Sequence, residues 1–152
     1  MTPPVITLDA VATSDADFLA TLRVEAMRES LERVGRFDPQ RARTRFLDSF
    51  EPQFTRSIVH CGGRVGLVVV RPRLDGLLLE HLYIRPSHQN RGFGAAVLQV
   101  VFAEADACGK AVRVGALRGS HANRFYQAHG FEFSDEGEFD IYYVRRNVSK
   151  TK

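Results

Sequence analysis

The heptapeptide QNRGFGA, residues 89–95, has the residue types of a backbone anion site. Gly92 and Gly94 stand where a helix-like run begins, although glycine there costs roughly 1 kcal/mol relative to alanine. The amino terminus of a helix presents unpaired N–H groups and the positive end of the helix dipole, which suit a phosphate. Glycine lets an anion approach that backbone. Residues 89–95 are therefore predicted to form a phosphate-binding turn.

Three phosphate-binding patterns can be compared with this turn. The P-loop pattern GxxxxGK[ST] is absent from the chain. A Rossmann turn needs GxGxxG close after the first strand and an acid about twenty positions later. The segment GFGAAV lacks the third glycine, and that acid is missing near Leu117. The third pattern, Q/R-x-x-G-x-G/A, fits the segment from Gln89 to Gly94.

Hydrophobic periodicity predicts the elements that would hold this turn. Caps are expected at Ser14 or Asp15, at Asp38 and at Ser120, and Gly109 is expected just past the end of the third helix. Strands are predicted at 5–10, 56–72 (a hairpin around Gly62-Gly63), 76–86, 111–117 and 131–146 (two strands around Gly137), and helices at 13–31, 37–50, 94–110 and 121–130. Strands and helices in this order predict a mixed α and β domain with a largely antiparallel sheet.

Composition limits the domain count and the chemistry. With 152 residues, 44% of them hydrophobic and 26% charged, the chain is expected to form one domain over 1–146 and a flexible carboxyl-terminal tail at 147–152. Cys61 and Cys108 have neither zinc-site nor disulfide-framework spacing, so buried or half-buried thiols are expected. No histidine pair has metal-ligand spacing, and no metal is expected.

Charge and hydropathy narrow the function classes. No apolar run approaches the ~20 residues of a membrane span, and the first ten residues do not resemble a secretion signal. A cytoplasmic protein with no membrane partner is expected. The net charge of +3 comes from interleaved signs rather than from a basic stripe, which disfavours nucleic-acid binding.

The glycine turn and its context resemble the GNAT superfamily of acyl-CoA-dependent N-acyltransferases. The motif follows a strand that ends in Arg85-Pro86 and opens an amphipathic helix. The later segment HANRFYQAHGF is similar to a second family landmark: an asparagine, a Phe-Tyr pair and a Gly-Phe. The resemblance implies an α+β fold of three layers (α/β/α), with a mixed, largely antiparallel central sheet flanked by helices.

The resemblance also implies a binding mode for acetyl-CoA as cosubstrate. Its pyrophosphate would lie on the backbone amides of the glycine turn, and its pantetheine arm would pair with the end of the preceding strand. Asn123 would contact the same arm. The implied cofactor-binding residues are Leu82, Tyr83, Ile84, Gln89, Asn90, Arg91, Gly92, Phe93, Gly94, Ala95 and Asn123.

Two proton transfers are needed for acetyl transfer to an amine. The amine must lose a proton before it attacks the thioester, and the departing thiolate must gain one. By resemblance, Glu80 stands at the position of a general base and Tyr126 at that of the general acid. A phenol with an ordinary pKa near 10 can donate to a thiolate whose pKa is about 8.5. Glu80 could instead be a solvated strand acid, and Tyr126 a core aromatic.

The acceptor is predicted to be a small molecule with a primary amine. Residues 23–45 hold seven arginines against four acids, which argues against a polyamine and for an amine that also carries a carboxylate or phosphate. Arg28, Arg33 and Arg36 are candidates to hold it, although they could simply solvate helix faces.

The predicted activity is an N-acetyltransferase that moves an acetyl group from acetyl-CoA to such an amine, directly in a ternary complex. The alternative is a catalytically silent acyl-CoA sensor on the same fold. Because dimers are common in the family, a homodimer is compatible with the resemblance.

Overall fold

The computed structural model describes residues 3–33 and 35–147 of the chain. Within these ranges it has four helices and seven strands. The helices are α1 (Ala16–Arg33), α2 (Pro39–Ser49), α3 (Phe93–Ala107) and α4 (Ala122–Ala128). The strands are β1 (Thr7–Ala10), β2 (Thr55–His60), β3 (Gly63–Arg73), β4 (Gly76–Ile84), β5 (Val112–Leu117), β6 (Glu132–Glu136) and β7 (Asp140–Arg145).

The seven strands form one mixed sheet in the order β1-β2-β3-β4-β5-β7-β6. Antiparallel ladders join β1 to β2, β2 to β3, β5 to β7 and β6 to β7. The β4–β5 ladder is parallel and aligns Leu77–Leu79 with Val112–Val114. The predicted α+β class with a largely antiparallel mixed sheet is confirmed.

Local sequence signals fix two helix termini as predicted, the start of α2 and the end of α3. The carboxylate of Asp38 accepts a hydrogen bond of 3.1 Å from the N–H of Arg41, and Pro39 takes the first position of α2. At the end of α3, Gly109 has a φ of +69°. The N–H groups of Gly109 and Lys110 donate to the carbonyls of Asp106 and Ala105, which is a Schellman motif.

Three local predictions need correction. Asp15 closes a 3₁₀ turn, Thr13–Asp15, and its carboxylate accepts from the N–H of Ala12 rather than capping forward. Ser120 makes no side-chain cap, because His121 is the residue that precedes α4. The β2–β3 hairpin turns at Cys61 (φ +51°) and Gly62 (φ +79°), one residue earlier than predicted, since two adjacent left-handed residues match the twist of the strands.

The described residues divide into two compact units. The first comprises those of Met1–Val69 and His81–Val97, and the second those of Val70–Glu80 and Leu98–Lys152. The sheet and α3 contribute residues to both. In the first unit a core of α1, α2 and β3 side chains is fully buried and packs against Val11, Phe50, Phe54 and Tyr83. Its members are Leu19, Ala20, Leu22, Phe46, Leu67 and Val69.

Buried side chains of α3 and β5 contribute to the core of the second unit. Leu98, Val101 and Ala105, which share the stripe predicted from the sequence, are completely buried. The rings of Phe102 and Phe131 lie 5.7 Å apart. Arg145 on β7 pairs with both carboxylate oxygens of Asp106 on α3, at 2.8 and 3.1 Å. This bidentate ion pair fixes α3 against the sheet of the second unit.

Both cysteine side chains are more exposed than predicted. Cys61 and Cys108 are exposed rather than buried, because one lies in the hairpin turn and the other beside the glycine that ends α3. In the described ranges, no helix has both the length and the apolar character to cross a membrane. The predicted tail at 147–152 lies, beyond Asn147, outside the described residues.

Candidate active site

The glycine turn of the first unit connects a 3₁₀ turn at Pro86–His88 to α3. Asn90 (φ +62°) and Gly92 (φ +87°) are both left-handed. The N–H of Ala96 donates to the carbonyl of Gly92 at 3.1 Å and so closes the first turn of the helix. The earlier N–H groups of a helix have no partner within it. This 15-residue helix therefore begins with a row of backbone donors on a chain reversal that glycine permits.

Side chains hold the turn in this shape. Gln89 Nε2 donates to the carbonyl of Ile84 at 2.8 Å, and Arg91 Nη1 donates to the carbonyl of Ser87 at 3.4 Å. Phe93 is only 2% exposed. His60 and His88 meet its ring edge-on, at centroid distances of 4.9 and 5.5 Å. Gln89 and Phe93 thus anchor the turn with their side chains, and only their backbone groups are left for a ligand.

The turn carries a positive field. The pKa of His88 is lowered, first by desolvation and then by the charges of Arg91, His60 and Arg85. These neighbours disfavour another positive charge at His88, and the same field favours an anion. Backbone donors, left-handed glycine and surrounding cations form a donor set that fits the phosphates of coenzyme A.

The strand before the turn contributes Leu82, Tyr83 and Ile84, all half-buried on β4. The β4–β5 ladder aligns β4 residues only as far as Leu79, so these three lie beyond it. Strand β3 approaches β4 very closely here, because a Cβ added to Gly66 would stand 2.2 Å from the carbonyl oxygen of Tyr83. A glycine inside a strand is a known signal of close backbone approach, and it could have pointed to this position.

A polar cluster of α1 and β4, centred on the buried Arg23, was not found from the sequence. Arg23, which is 8% exposed, donates through Nη1 to the carbonyl of Ala42 and through Nε to the phenol of Tyr83, at 3.4 Å. The phenol oxygen also lies 3.0 Å from Nδ1 of His81, whose ring packs against Phe46. We call Arg23, Tyr83 and His81 the arginine cluster. In the sequence, Arg23 stood out only as one of the seven arginines of residues 23–45.

In the second unit, Glu80 forms an ion pair with Arg71, between Oε1 and Nε. Both side chains are largely shielded, with 28% and 11% of their surface exposed. Glu80, the predicted base, is therefore held by a guanidinium on the neighbouring strand β3. Its role as a base stays a prediction.

Tyr126 and Asn123 lie on α4 of the second unit. Tyr126 is 6% exposed, and its ring meets Phe131 edge-on at 5.2 Å. Asn123 Nδ2 donates to the carbonyls of Leu117 (2.9 Å) and Ser120 (3.0 Å), and its Oδ1 accepts from the phenol of Tyr143 at 2.8 Å. Burial raises the pKa of Tyr143, which keeps that donor protonated. Asn123 thus ties β5, α4 and β7 together, and its predicted contact with coenzyme A stays a prediction.

The three arginines predicted to hold the acceptor lie at the surface. Arg28 pairs with Glu32 at 3.1 Å and Arg33 pairs with Glu29 at 3.5 Å, both one helical turn apart on α1. Exposed pairs of this kind contribute about 0.3–0.5 kcal/mol. Arg36 is also exposed and follows the end of α1. The contacts of Arg28 and Arg33 favour the alternative, in which they solvate a helix face.

Comparisons with known proteins decide the family. A family model described as "Acetyltransferase (GNAT) domain" matches residues 55–133, more than half of the chain. The chain belongs to the GNAT acetyltransferase family. The matched segment contains β2 to β5, the glycine turn, α3 and α4. The predicted coenzyme A-binding residues and the predicted catalytic residues, Glu80 and Tyr126, therefore lie inside it. No curated protein sequence matches this family member.

Solved structures agree with the GNAT assignment at the level of the fold. The PaiA N-acetyltransferase of Thermoplasma acidophilum, in complex with coenzyme A, matches with a TM-score of 0.78 at 12% identity, over 93% of this chain and 99% of that one. An acetyltransferase of Thermus thermophilus matches with a TM-score of 0.75 at 24% identity, over 96% and 99%. The ribosomal-protein-S18-alanine N-acetyltransferase of Escherichia coli reaches 0.69 at 15%, over 94% of each chain.

Proposed function

We propose that this GNAT acetyltransferase moves the acetyl group of acetyl-CoA to the primary amine of a small molecule, directly within a ternary complex. The observation that carries the proposal is the cationic glycine turn, in which Gly92 (φ +87°) precedes the row of donors that opens α3. The cosubstrate supplies an activated acetyl group as a thioester. The chain has to bind its phosphates, orient the acyl arm and move two protons.

Binding is assigned to the first unit. The backbone amides from Gln89 to Ala95 would receive the pyrophosphate, with Asn90 and Arg91 at the rim of the turn. Charge-assisted N–H bonds to phosphate are roughly twice as strong as neutral ones, so a few of them suffice for affinity. The backbone of Leu82–Ile84 would pair with the amides of the pantetheine arm, since β4 residues beyond Leu79 are outside the β4–β5 ladder.

Proton transfer is assigned to the second unit. Tyr126 would donate a proton to the departing thiolate, because a phenol is protonated at neutral pH. Glu80 would accept the amine proton, directly or through water, while Arg71 fixes the direction of its carboxylate. Asn123 would hold α4, and hence Tyr126, in place through its side-chain hydrogen bonds to Leu117, Ser120 and Tyr143.

One observation favours a second candidate, an acyl-CoA sensor without activity. The carboxylate of Glu80 forms an ion pair with the guanidinium of Arg71. A base that stays paired would leave a protein that binds acetyl-CoA but does not transfer the acetyl group.

Calorimetry with acetyl-CoA, followed by thiol detection over a panel of amines, separates these functions. Binding together with amine-dependent thiol release supports the transferase. Binding without thiol release from any amine supports the sensor. No binding of acetyl-CoA contradicts both.

We propose that residues 1–146 act as a single domain in the cytoplasm, with no metal and with neither nucleic acid nor membrane as a partner. A homodimer is compatible with the family, and sedimentation of the purified chain tests it.

A further inference from the structure

The arginine cluster contains a buried cation without a carboxylate. Arg23 is 8% exposed, and its hydrogen-bond partners are two neutral groups, the carbonyl of Ala42 and the phenol of Tyr83. Among residues 3–33 and 35–147, no acidic side chain lies within ion-pair distance of it. A guanidinium has five N–H donors, so these two bonds leave most of its donors unused.

Other shielded arginines of the same chain show the contrast. Arg71, 9% exposed, is paired with Glu80, and Arg145 is paired bidentately with Asp106. Transferring a charge into the protein interior without a counter-charge is unfavourable, and a carbonyl and a phenol offset only part of that cost. Arg71 and Arg145 each have a carboxylate partner, whereas Arg23 has none among the described residues.

The two β4 members of the cluster are partly exposed. Tyr83 and His81 are half-buried rather than buried, and the guanidinium of Arg23 lies 5.8 Å from the centroid of the Tyr83 ring. The Nε–H of Arg23 donates to the phenol oxygen, and the phenol O–H can donate in turn to Nδ1 of His81. This chain of contacts orients the guanidinium on Tyr83 and places the imidazole of His81 next to the phenol.

We infer that Arg23 binds the carboxylate of the amine acceptor, so that the substrate is an amino acid or a similar amino-carboxylate. The inference rests on the proposed function, because it places the acceptor beside Tyr83, whose backbone is assigned to the acyl arm. A planar guanidinium suits a carboxylate because it offers two parallel N–H donors. Arg23 replaces Arg28, Arg33 and Arg36 as the residue that selects for this group.

The test compares matched pairs of amines that differ only in the carboxylate. Glycine, β-alanine and 4-aminobutyrate are assayed against their carboxamides, with kcat/KM from thiol release. The acid-to-amide ratio is measured in the wild type, in Arg23→Gln and in the control Arg43→Gln. Arg43 is an arginine of α2 in the same unit that already pairs with Asp17. Comparing ratios between proteins cancels the different amine pKa values of acid and amide.

For at least one pair, we expect the ratio to fall by about tenfold or more in Arg23→Gln, the loss of one charge-assisted contact, and to stay constant in Arg43→Gln. An equal ratio in the wild type and Arg23→Gln overturns the inference. So does a weaker affinity for coenzyme A at an unchanged ratio, because the anion would then be a phosphate of the cosubstrate.

Two further measurements keep the test decisive. If Arg23→Gln does not fold, Arg23→Lys keeps the charge without the planar fork, and the ratio should fall several-fold; an unchanged ratio overturns the inference. If no amine releases thiol, the proposed function has failed by itself. The inference is then tested by whether the same acids raise the melting temperature more than their amides do in the wild type but not in Arg23→Gln; equal shifts overturn it.

Discussion

Replacing Gly92 by valine tests the glycine turn with a magnitude that follows from its geometry. The residue has a φ of +87°, and an added Cβ would stand 3.2 Å from Cδ of Pro4. A left-handed backbone costs an ordinary residue about 1–2 kcal/mol, which corresponds to a fall of a few degrees in melting temperature for a chain of this length. The variant should therefore fold but relax its turn.

Relaxation of the turn should affect ligand binding more than stability. Each charge-assisted hydrogen bond to phosphate is worth about 1.5–3 kcal/mol. Loss of two such bonds would weaken the binding of coenzyme A by about 10²- to 10⁴-fold. Isothermal titration calorimetry with coenzyme A measures this directly.

Gly130 provides a matched control. Its φ of +93° is similar, and no described heavy atom outside its chain neighbours lies within 4 Å of an added Cβ. Gly130→Val should lose similar stability and keep its affinity for coenzyme A. If Gly92→Val binds as tightly as the wild type, or if both variants lose affinity equally, the placement of the phosphates on this turn is wrong.

The remaining predictions concern protonation. Tyr126→Phe should lower kcat with little change in the Kd of coenzyme A, because only the proton donor is lost; unchanged kcat in stopped-flow thiol assays would remove Tyr126 from the acid role. The pKa of His88, lowered in the free protein, should rise when coenzyme A binds, since phosphate offsets the positive charge of Arg91; an NMR titration in which it stays constant would argue against the site. The pKa of Asp15 is lowered by the N–H of Ala12 and then by Arg64, so its ionised form stabilises the fold above the ordinary value of 3.8, and this contribution disappears as the pH falls through the lowered pKa. Asp15→Asn should therefore unfold more easily at pH 7 and lose less stability between pH 5 and 2 in urea titrations; identical pH profiles would contradict that assignment.

Local signals made most of the fold predictable. Asp38 and Pro39 begin α2, and Gly109 follows the end of α3, through interactions within a few residues. The alternation on β5 and the stripe on α3 each reflect one buried face. The errors were of the same local kind. Where two neighbouring residues can both be left-handed, as around Gly62, the sequence does not decide which pair makes the turn.

The candidate site was less predictable, because its side chains depend on partners distant in sequence. The glycine motif predicted a phosphate-binding turn at residues 89–95, because the role expected of it depends on the backbone. Nothing near Arg23 in the sequence shows that it meets Tyr83, sixty residues away, or that it is buried. In the same way, only the fold reveals that Asn123 is held by Tyr143 and that Glu80 is paired with Arg71.

The most direct test of the central claim is an amide NMR titration of the chain with coenzyme A. If the glycine turn receives the phosphates, the backbone N–H signals of residues 89–95 should move furthest, and saturably. A titration that leaves those signals in place, or that moves only signals elsewhere, would contradict the account.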